Sequence, residues 1–359
     1  MPTIITTGGA SAKGFGFGAG AKVSFKGFNT PALMNGSTSV AVIRSVTVNS
    51  SGLFVAVGQD GSAYPAYATS SNGSTWTTPA LMNGSTTLAR MFSVAVNSSG
   101  LFVAVGYDSS NNGLYATSSD GSTWTTPAFM NGSAGGVRMF SVACSSSGVF
   151  VAVGNNVGFA PYYAKSSNGS TWTTPAKMNG SSTFAVMNSV TVNSSGLFVA
   201  VGYDTNAYPL YATSTNGTTW TTPAYMNGST SVAEMFSVTV NSSGLFVAVG
   251  CDSNNYPLYA TSSNGSTWTT PAIMNNSTTY ASMKSVTVSS SGLFVAVGYD
   301  VNGAALYASS PDGSTWTTPS HMNGYTSYSS MNSIAVNSSN LFVAVGNDTN
   351  DYPLYATSK

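Results

Sequence analysis

The sequence predicts an all-β protein, a seven-bladed β-propeller with four antiparallel strands per blade, and three observations carry that prediction. The six tryptophans stand at 76, 124, 172, 220, 268 and 316, a constant step of 48 residues. The segment LFVAVG begins at 53, 101, 197, 245, 293 and 341, and VFVAVG at 149, so one unit is written seven times. Each unit holds short strand-like segments between turn residues and no helical spacing of apolar positions, as a radial array of small sheets requires. Seven units leave 23 of the 359 residues outside the repeat, nearly all in a Gly-rich stretch before Val23.

In the first complete unit, Ser45-Val-Thr-Val-Asn49 alternates apolar and polar residues, and Asn49-Ser-Ser-Gly52 turns the chain. Leu53–Val57 is then a continuous apolar run, the mark of a strand covered on both faces. After Gly58 comes a loop that changes from unit to unit, then Tyr67-Ala-Thr-Ser70, the turn Asn72-Gly73, and a fourth strand expected over Thr75–Met82. Pro79 has counterparts at 31, 127, 175, 223, 271 and 319. A residue without an N–H fits where a strand has a partner on one side only, so the fourth strand is placed at the sheet edge.

The seventh unit is divided between the two ends of the chain. Residues 333–359 supply three strands, and Phe28-Asn-Thr-Pro-Ala-Leu-Met34 matches Trp76-Thr-Thr-Pro-Ala-Leu-Met82 one step later. Val23–Met34 is therefore expected to be the outer strand of that blade and to close the ring, which removes exposed sheet edges. The boundaries that follow are a tail at 1–22 and a propeller at 23–359. Strand parity puts the near-constant turns NSSG and SNGS on one face and the variable loops, such as QDGSAYPA and NNVGFAPY, on the other. Both chain ends fall on the constant face. Variable loops on a rigid scaffold are where recognition usually sits.

The turn before each tryptophan has a recognisable form. Ser70-Ser-Asn-Gly-Ser-Thr-Trp76, Ser118-Ser-Asp-Gly-Ser-Thr-Trp124 and Ser310-Pro-Asp-Gly-Ser-Thr-Trp316, with three more copies at 166, 214 and 262, resemble the Asp-box of sialidase-type propellers. The resemblance implies a structural role: the box turns the chain between the third and fourth strands, and its Trp fills the gap between blades. Four of the six copies carry Asn in place of Asp, which still suits a side-chain-to-backbone turn bond. A sialidase-like hydrolase would need an arginine triad, a Tyr–Glu pair and an acid. The chain has three arginines, Arg44, Arg90 and Arg138, and a single glutamate, Glu234, which shares a repeat column with Arg90 and Arg138. Duplication and drift account for that column, and the expected reading is non-enzymatic with no catalytic residues.

Ten basic and ten acidic residues cancel, so nucleic acid and anionic membrane surfaces are not the expected partners. Apolar runs of five or six residues span no bilayer, and the amino terminus does not read as a signal peptide. Asp60, Asp108, Asp204, Asp252, Asp300 and Asp348, with Asn156 in the remaining unit, open the variable loops. One acid per blade suits turn capping better than a metal, and no metal or cofactor is expected. His321, alone of its kind, occupies a column that tolerates almost any residue. Cys144 reads as a small core residue; Cys251, two blades away, is too far for a bridge. Two methionine columns, Met34 to Met322 and Met91 to Met331, read as filler between blades.

The candidate ligand-binding residues are aromatics of the variable face: Tyr64, Tyr208, Tyr256 and Tyr352, each before a proline, and Tyr107, Tyr203 and Tyr299 at the loop start. A tyrosine offers an apolar ring to a sugar face and a hydroxyl to its polar rim, although the same rings also suit closing a loop against its own proline. The uncharged repeat and the tail segment Gly8-Gly-Ala-Ser-Ala-Lys-Gly-Phe-Gly-Phe17 resemble structural and fibre proteins of tailed bacteriophages. That resemblance implies a virion protein made in the host cytoplasm, with the tail joining it to other virion proteins. The expected function is a multivalent module of up to seven similar weak sites for a cell-surface glycan. The alternative is a purely structural virion protein.

Overall fold

The computed structural model describes residues 25–84, 88–131, 135–180 and 184–359. The expected tail and the first two residues of the closing strand lie outside them. Seven four-stranded antiparallel sheets form the ring. In blade 1 the strands run Ala41–Val48, Phe54–Asp60, Pro65–Ser70 and Ala80–Leu81, paired in that order. The first strand of every blade touches the first strands of both neighbours, which places it innermost. Val55, Ala56 and Val57 and their counterparts are fully buried, as an apolar strand sandwiched between neighbouring blades must be.

Two strands differ from expectation. The first is longer and carries a bulge: Ile43 faces Gly58 and Ser45 faces Val57, leaving Arg44 without a partner across the ladder. The fourth is only two residues long in each blade. The backbone N–H of Thr77 still donates to Thr69 O (2.9 Å), while Thr69 N donates to the hydroxyl of Thr77 (2.9 Å) in place of a backbone carbonyl. Pro79 supplies no donor, and the ladder resumes at Ala80 opposite Tyr67. Gly84-type positions then close a tight turn in which Asn35, Asn83, Asn179, Asn227, Asn275 and Asn323 take left-handed φ values, a region Asn enters more easily than most residues.

The turns behave as their sequences require. Asn49 Oδ1 accepts from the N–H groups of Ser51 (3.1 Å) and Leu53 (2.9 Å), and Gly52 supplies a φ of 87°. In the box, Ser70 Oγ accepts from Gly73 N (2.8 Å), Asn72 Oδ1 from Thr75 N (2.7 Å), and Trp76 Nε1 donates to Gly73 O (3.0 Å). Where the box carries Asp, as at Asp120, the N–H groups of Thr123 and Ser122 hold the carboxyl below its ordinary range. Trp76 packs with Met34, Ile43, Phe54, Val343 and Val345, residues of two adjacent blades, so both the tryptophans and the methionines fill inter-blade gaps.

Two belts of hydrogen bonds tie blade to blade. At the inner strand, Ser45 Oγ accepts from Val94 N of the next blade (3.2 Å), and the same bond recurs from Ser93, Ser141, Ser189, Ser237, Ser285 and Ser333 until the ring is complete. At the rim, Asn35 Nδ2 donates to Thr78 Oγ1 (2.8 Å) and Asn323 Nδ2 to Thr30 Oγ1 (2.8 Å), which carries the outer belt across the closure. Ala32–Leu33 pairs with Tyr355 and Leu354, Phe28 bridges Ser358, and Asn29 N donates to Thr357 O (2.8 Å). The amino-terminal segment thus seals blade 7, and Phe28, 1% exposed, fills the place that tryptophan takes elsewhere.

Candidate functional site

The variable loops are built on one capping device. Asp60 Oδ1 accepts from Ser62 N (2.9 Å) and Tyr64 N (2.8 Å), and Asp108, Asp204, Asp252, Asp300 and Asp348 do the same for their own loops. These carboxylates are engaged by backbone donors, and among the described residues no group of three His, Cys, Asp or Glu stands ready for a metal ion. The cap drives residue 63 into the left-handed region (φ 61° at Ala63, 59° at Phe159, 58° at Ala207), costly for residues other than Gly and Asn. In return the loop tip offers its carbonyl to the next blade: Ala89 N donates to Ala63 O (2.9 Å) and Ala185 N to Phe159 O (2.6 Å).

Between one loop tip and the next blade this leaves a niche. One niche, of about 300 Å³, is lined by Ala63, Leu88, Arg90, Tyr107, Asn111 and Arg138. Another, of about 270 Å³, is lined by Phe159, Phe184, Val186, Tyr203, Ala207 and Glu234. These are the same repeat positions two blades further on, so the niche is a product of the repeat while its lining is not. The first carries two arginines; the second is largely apolar with two carboxylates, the capped Asp204 and Glu234, and burial, then Glu234, push the Tyr203 hydroxyl up. These two niches therefore share their build and differ in their chemistry. A third cavity, of about 420 Å³, spans blades 6, 7 and 1, with Arg44, Lys284, Tyr299, Asn332 and Asn347 in its wall. Lys284 Nζ lies 3.7 Å from the Phe236 ring centroid, and burial pulls its pKa down.

The seven candidate tyrosines separate into two sets. Tyr107, Tyr203 and Tyr299 line the three cavities. Tyr64, Tyr208, Tyr256 and Tyr352 give their backbone N–H groups to the Asp caps, and the Tyr208 ring meets the outer-strand Tyr225 edge-on at 5.9 Å. All seven are half-buried. His321 is tied into this face rather than idle: its Nε2 lies 3.0 Å from Asp300 Oδ2, just as Tyr225 Oη donates to Asp204 Oδ2 (2.9 Å). Burial pushes the Asp300 carboxyl up, but the bonds from His321, Ala304 N and Asn302 N outweigh it and hold the pKa low.

Two features were not foreseen. The arginines, 46 and 48 residues apart in sequence, converge: Arg90 and Arg138 face one niche, and Arg44 stacks on Phe92, which stacks on Tyr107 in the same wall. A step of about one repeat brings them to neighbouring blades, and Arg44, sitting on the bulge, is turned toward the same aromatics. The Tyr203–Glu234 pair lines a separate niche. The second feature is apolar. Of the ten large apolar side chains exposed among the described residues, eight stand on the variable face: Val40, Leu88, Val157, Phe159, Phe184, Val232, Val301 and Tyr328. For five of them the signal in the sequence is one repeat column just ahead of the first strand (Val40, Leu88, Phe184, Val232, Tyr328), apolar or aromatic in every blade but the third, which has Gly136.

No protein-family model matches the chain, and no curated protein matches it in sequence. Solved structures do match in fold. YCF48 bound to D1 peptide superposes with a TM-score of 0.65 at 14% identity, covering 94% of this chain and 96% of that one. The BP39L lectin from Burkholderia pseudomallei gives 0.70 at 13% identity, over 89% and 95% of the two chains. The WD40 repeats of RRP9 give 0.64 at 8% identity, over 93% and 99%. Such likenesses establish the propeller architecture alone.

Proposed function

We propose that this chain is a non-enzymatic binding module that holds a cell-surface glycan on its variable face, carried on a virion appendage or decoration protein. Residues 1–22 would join it there to other virion proteins. The observation that carries the reading is the contrast between faces: exposed large apolar side chains gather beside three half-open cavities on one face, while the other presents Ser, Asn and Gly turns. Apolar patches next to convergent polar groups are the usual form of a ligand surface. A sugar fits such a surface because its C–H faces pack on aromatic rings while its hydroxyls meet polar neighbours. A propeller of this architecture is a lectin in Burkholderia pseudomallei, which lends support. Because the niches differ in lining, avidity would come from successive residues of one glycan, each in its own niche.

A glycan array with the full chain tests the reading. Binding is expected, and Tyr107→Ala or Tyr203→Ala should each weaken it about fivefold or more, in line with loss of an aromatic anchor. Binding to no glycan, or binding indifferent to every loop tyrosine, would favour the purely structural alternative.

A further inference from the structure

The three arginines of this chain occupy consecutive blades, and the one ion pair among the described residues is His321–Asp300, so none of the three has a carboxylate partner there. Two of them are held in place by other means. Arg44 Cζ lies 4.5 Å from the Phe92 ring centroid, and its Nε and Nη2 donate to Gln59 Oε1 at 3.3 and 3.2 Å. Phe92 stacks on Tyr107 (4.9 Å, 17°), and Arg138 Cζ lies 5.7 Å from the Tyr107 ring. Arg138 Nε donates to Asn111 Oδ1 at 2.8 Å, the one hydrogen bond this side chain makes among the described residues. Guanidinium, ring, ring and guanidinium thus form a connected stack drawn from three blades.

Arg90 is exposed on the wall of the same niche as Arg138. The niche's own acid is occupied: Asp108 Oδ1 accepts from Ser110 N and Asn112 N, and Oδ2 from Asn112 Nδ2. In the equivalent niche two blades on, Val186 and Glu234 stand where Arg90 and Arg138 stand here. The cationic character therefore belongs to this niche and not to the repeat.

We infer that the niche lined by blades 1, 2 and 3 binds the anionic group of an acidic glycan, a carboxylate or sulfate, through Arg90 and Arg138. The inference rests on the glycan reading and names the class of sugar. A planar guanidinium matches a carboxylate or sulfate through paired hydrogen bonds, and Arg138 is already oriented, so little of its freedom remains to be lost on binding. Tyr107 and the exposed Leu88 supply apolar surface beside the anion for the sugar ring. Arg44 adds a second-neighbour positive charge, so binding weakens as salt rises.

The test is calorimetric titration of the full chain with a hexuronate oligosaccharide, a sulfated oligosaccharide, their carboxyl-reduced and desulfated counterparts, and inorganic sulfate. Wild-type protein should bind at least one acidic oligosaccharide about tenfold or more tightly than its neutral counterpart, and Arg90→Gln and Arg138→Gln should each remove about that factor. Lys165→Gln, which removes a positive charge at the constant-face end of a third strand, should leave the affinity unchanged, and circular dichroism checks that each variant is folded. Equal affinity for acidic and neutral sugars, or Arg variants that bind as wild type does, overturns the acidic site and leaves the glycan reading standing. Sulfate bound through Arg138 with no oligosaccharide bound at all keeps the anion site and overturns its glycan source. Binding of none of the probes overturns both.

Discussion

Removing residues 1–34 should produce an aggregating chain without a cooperative melting transition. The deletion takes away the strand paired with Tyr355 and Leu354 and leaves the backbone groups of the last strand open to any other chain. It also empties the core. Phe28 and Met34 are almost wholly buried, and Phe25 packs edge-on against Phe28, Tyr307 and Phe342 at 5.4 to 5.7 Å. Complete burial of one such side chain is worth about 1.5–3 kcal/mol, so the loss of these three approaches the whole stability of an ordinary domain. Size-exclusion chromatography and a thermal melt decide the matter. A monomeric truncation that melts cooperatively near the wild-type temperature would contradict the closure described above. The milder change Phe28→Ala should cost about 3–5 kcal/mol and leave the ring closed.

Nearly as large an effect is expected from Gly202→Ala. A Cβ on Gly202 would stand 1.8 Å from the backbone oxygen of Val186 and 2.8 Å from its carbonyl carbon, and the same crowding recurs at Gly58, Gly106, Gly154, Gly250, Gly298 and Gly346. Each of these faces the last paired residue before the inner-strand bulge, where the two strands come closest. Since the obstacle is backbone, no side-chain rotation relieves it, and a destabilisation of about 3 kcal/mol or more is expected. Gly196 in the same blade is the contrast. It has open space around its Cβ position but a φ of 84°, so Gly196→Ala should cost only about 1–2 kcal/mol. Denaturant unfolding of the two variants should rank them in that order; equal costs would show that the bulge does not set the spacing.

The ring, its number of blades and the way it closes were readable because a constant step of 48 residues encodes them directly. The match of Phe28-Asn-Thr-Pro to Trp76-Thr-Thr-Pro carried the closure, and Phe28 does stand in the tryptophan column. What escaped notice follows from the circular arrangement. The serine column beginning at Ser45 is invariant through Ser333, yet nothing local shows that its partner is a backbone N–H one blade away. The bulge at Arg44 depends on the packing of inner strands around an axis, and an alternating pattern does not reveal it. The fourth strand was overestimated because Thr75–Leu81 has strand-like composition, whereas a threonine hydroxyl and a proline interrupt its ladder. At the site, the tyrosines looked like one set because they share a loop, but strand alternation sends Tyr203 toward the niche and Tyr208 toward Tyr225. The arginines looked like drift within a column because a separation of one repeat in sequence does not read as adjacency in space.

The central claim, that the variable face is the binding face, is tested most directly by a crystal structure of the full chain with the strongest glycan from the array. Sugar density is expected in the inter-blade niches, against Tyr107, Tyr203 or Tyr299, with the turns at Asn49–Gly52 and Ser70–Gly73 bare. Sugar seated on those turns, with the niches empty, would contradict the claim.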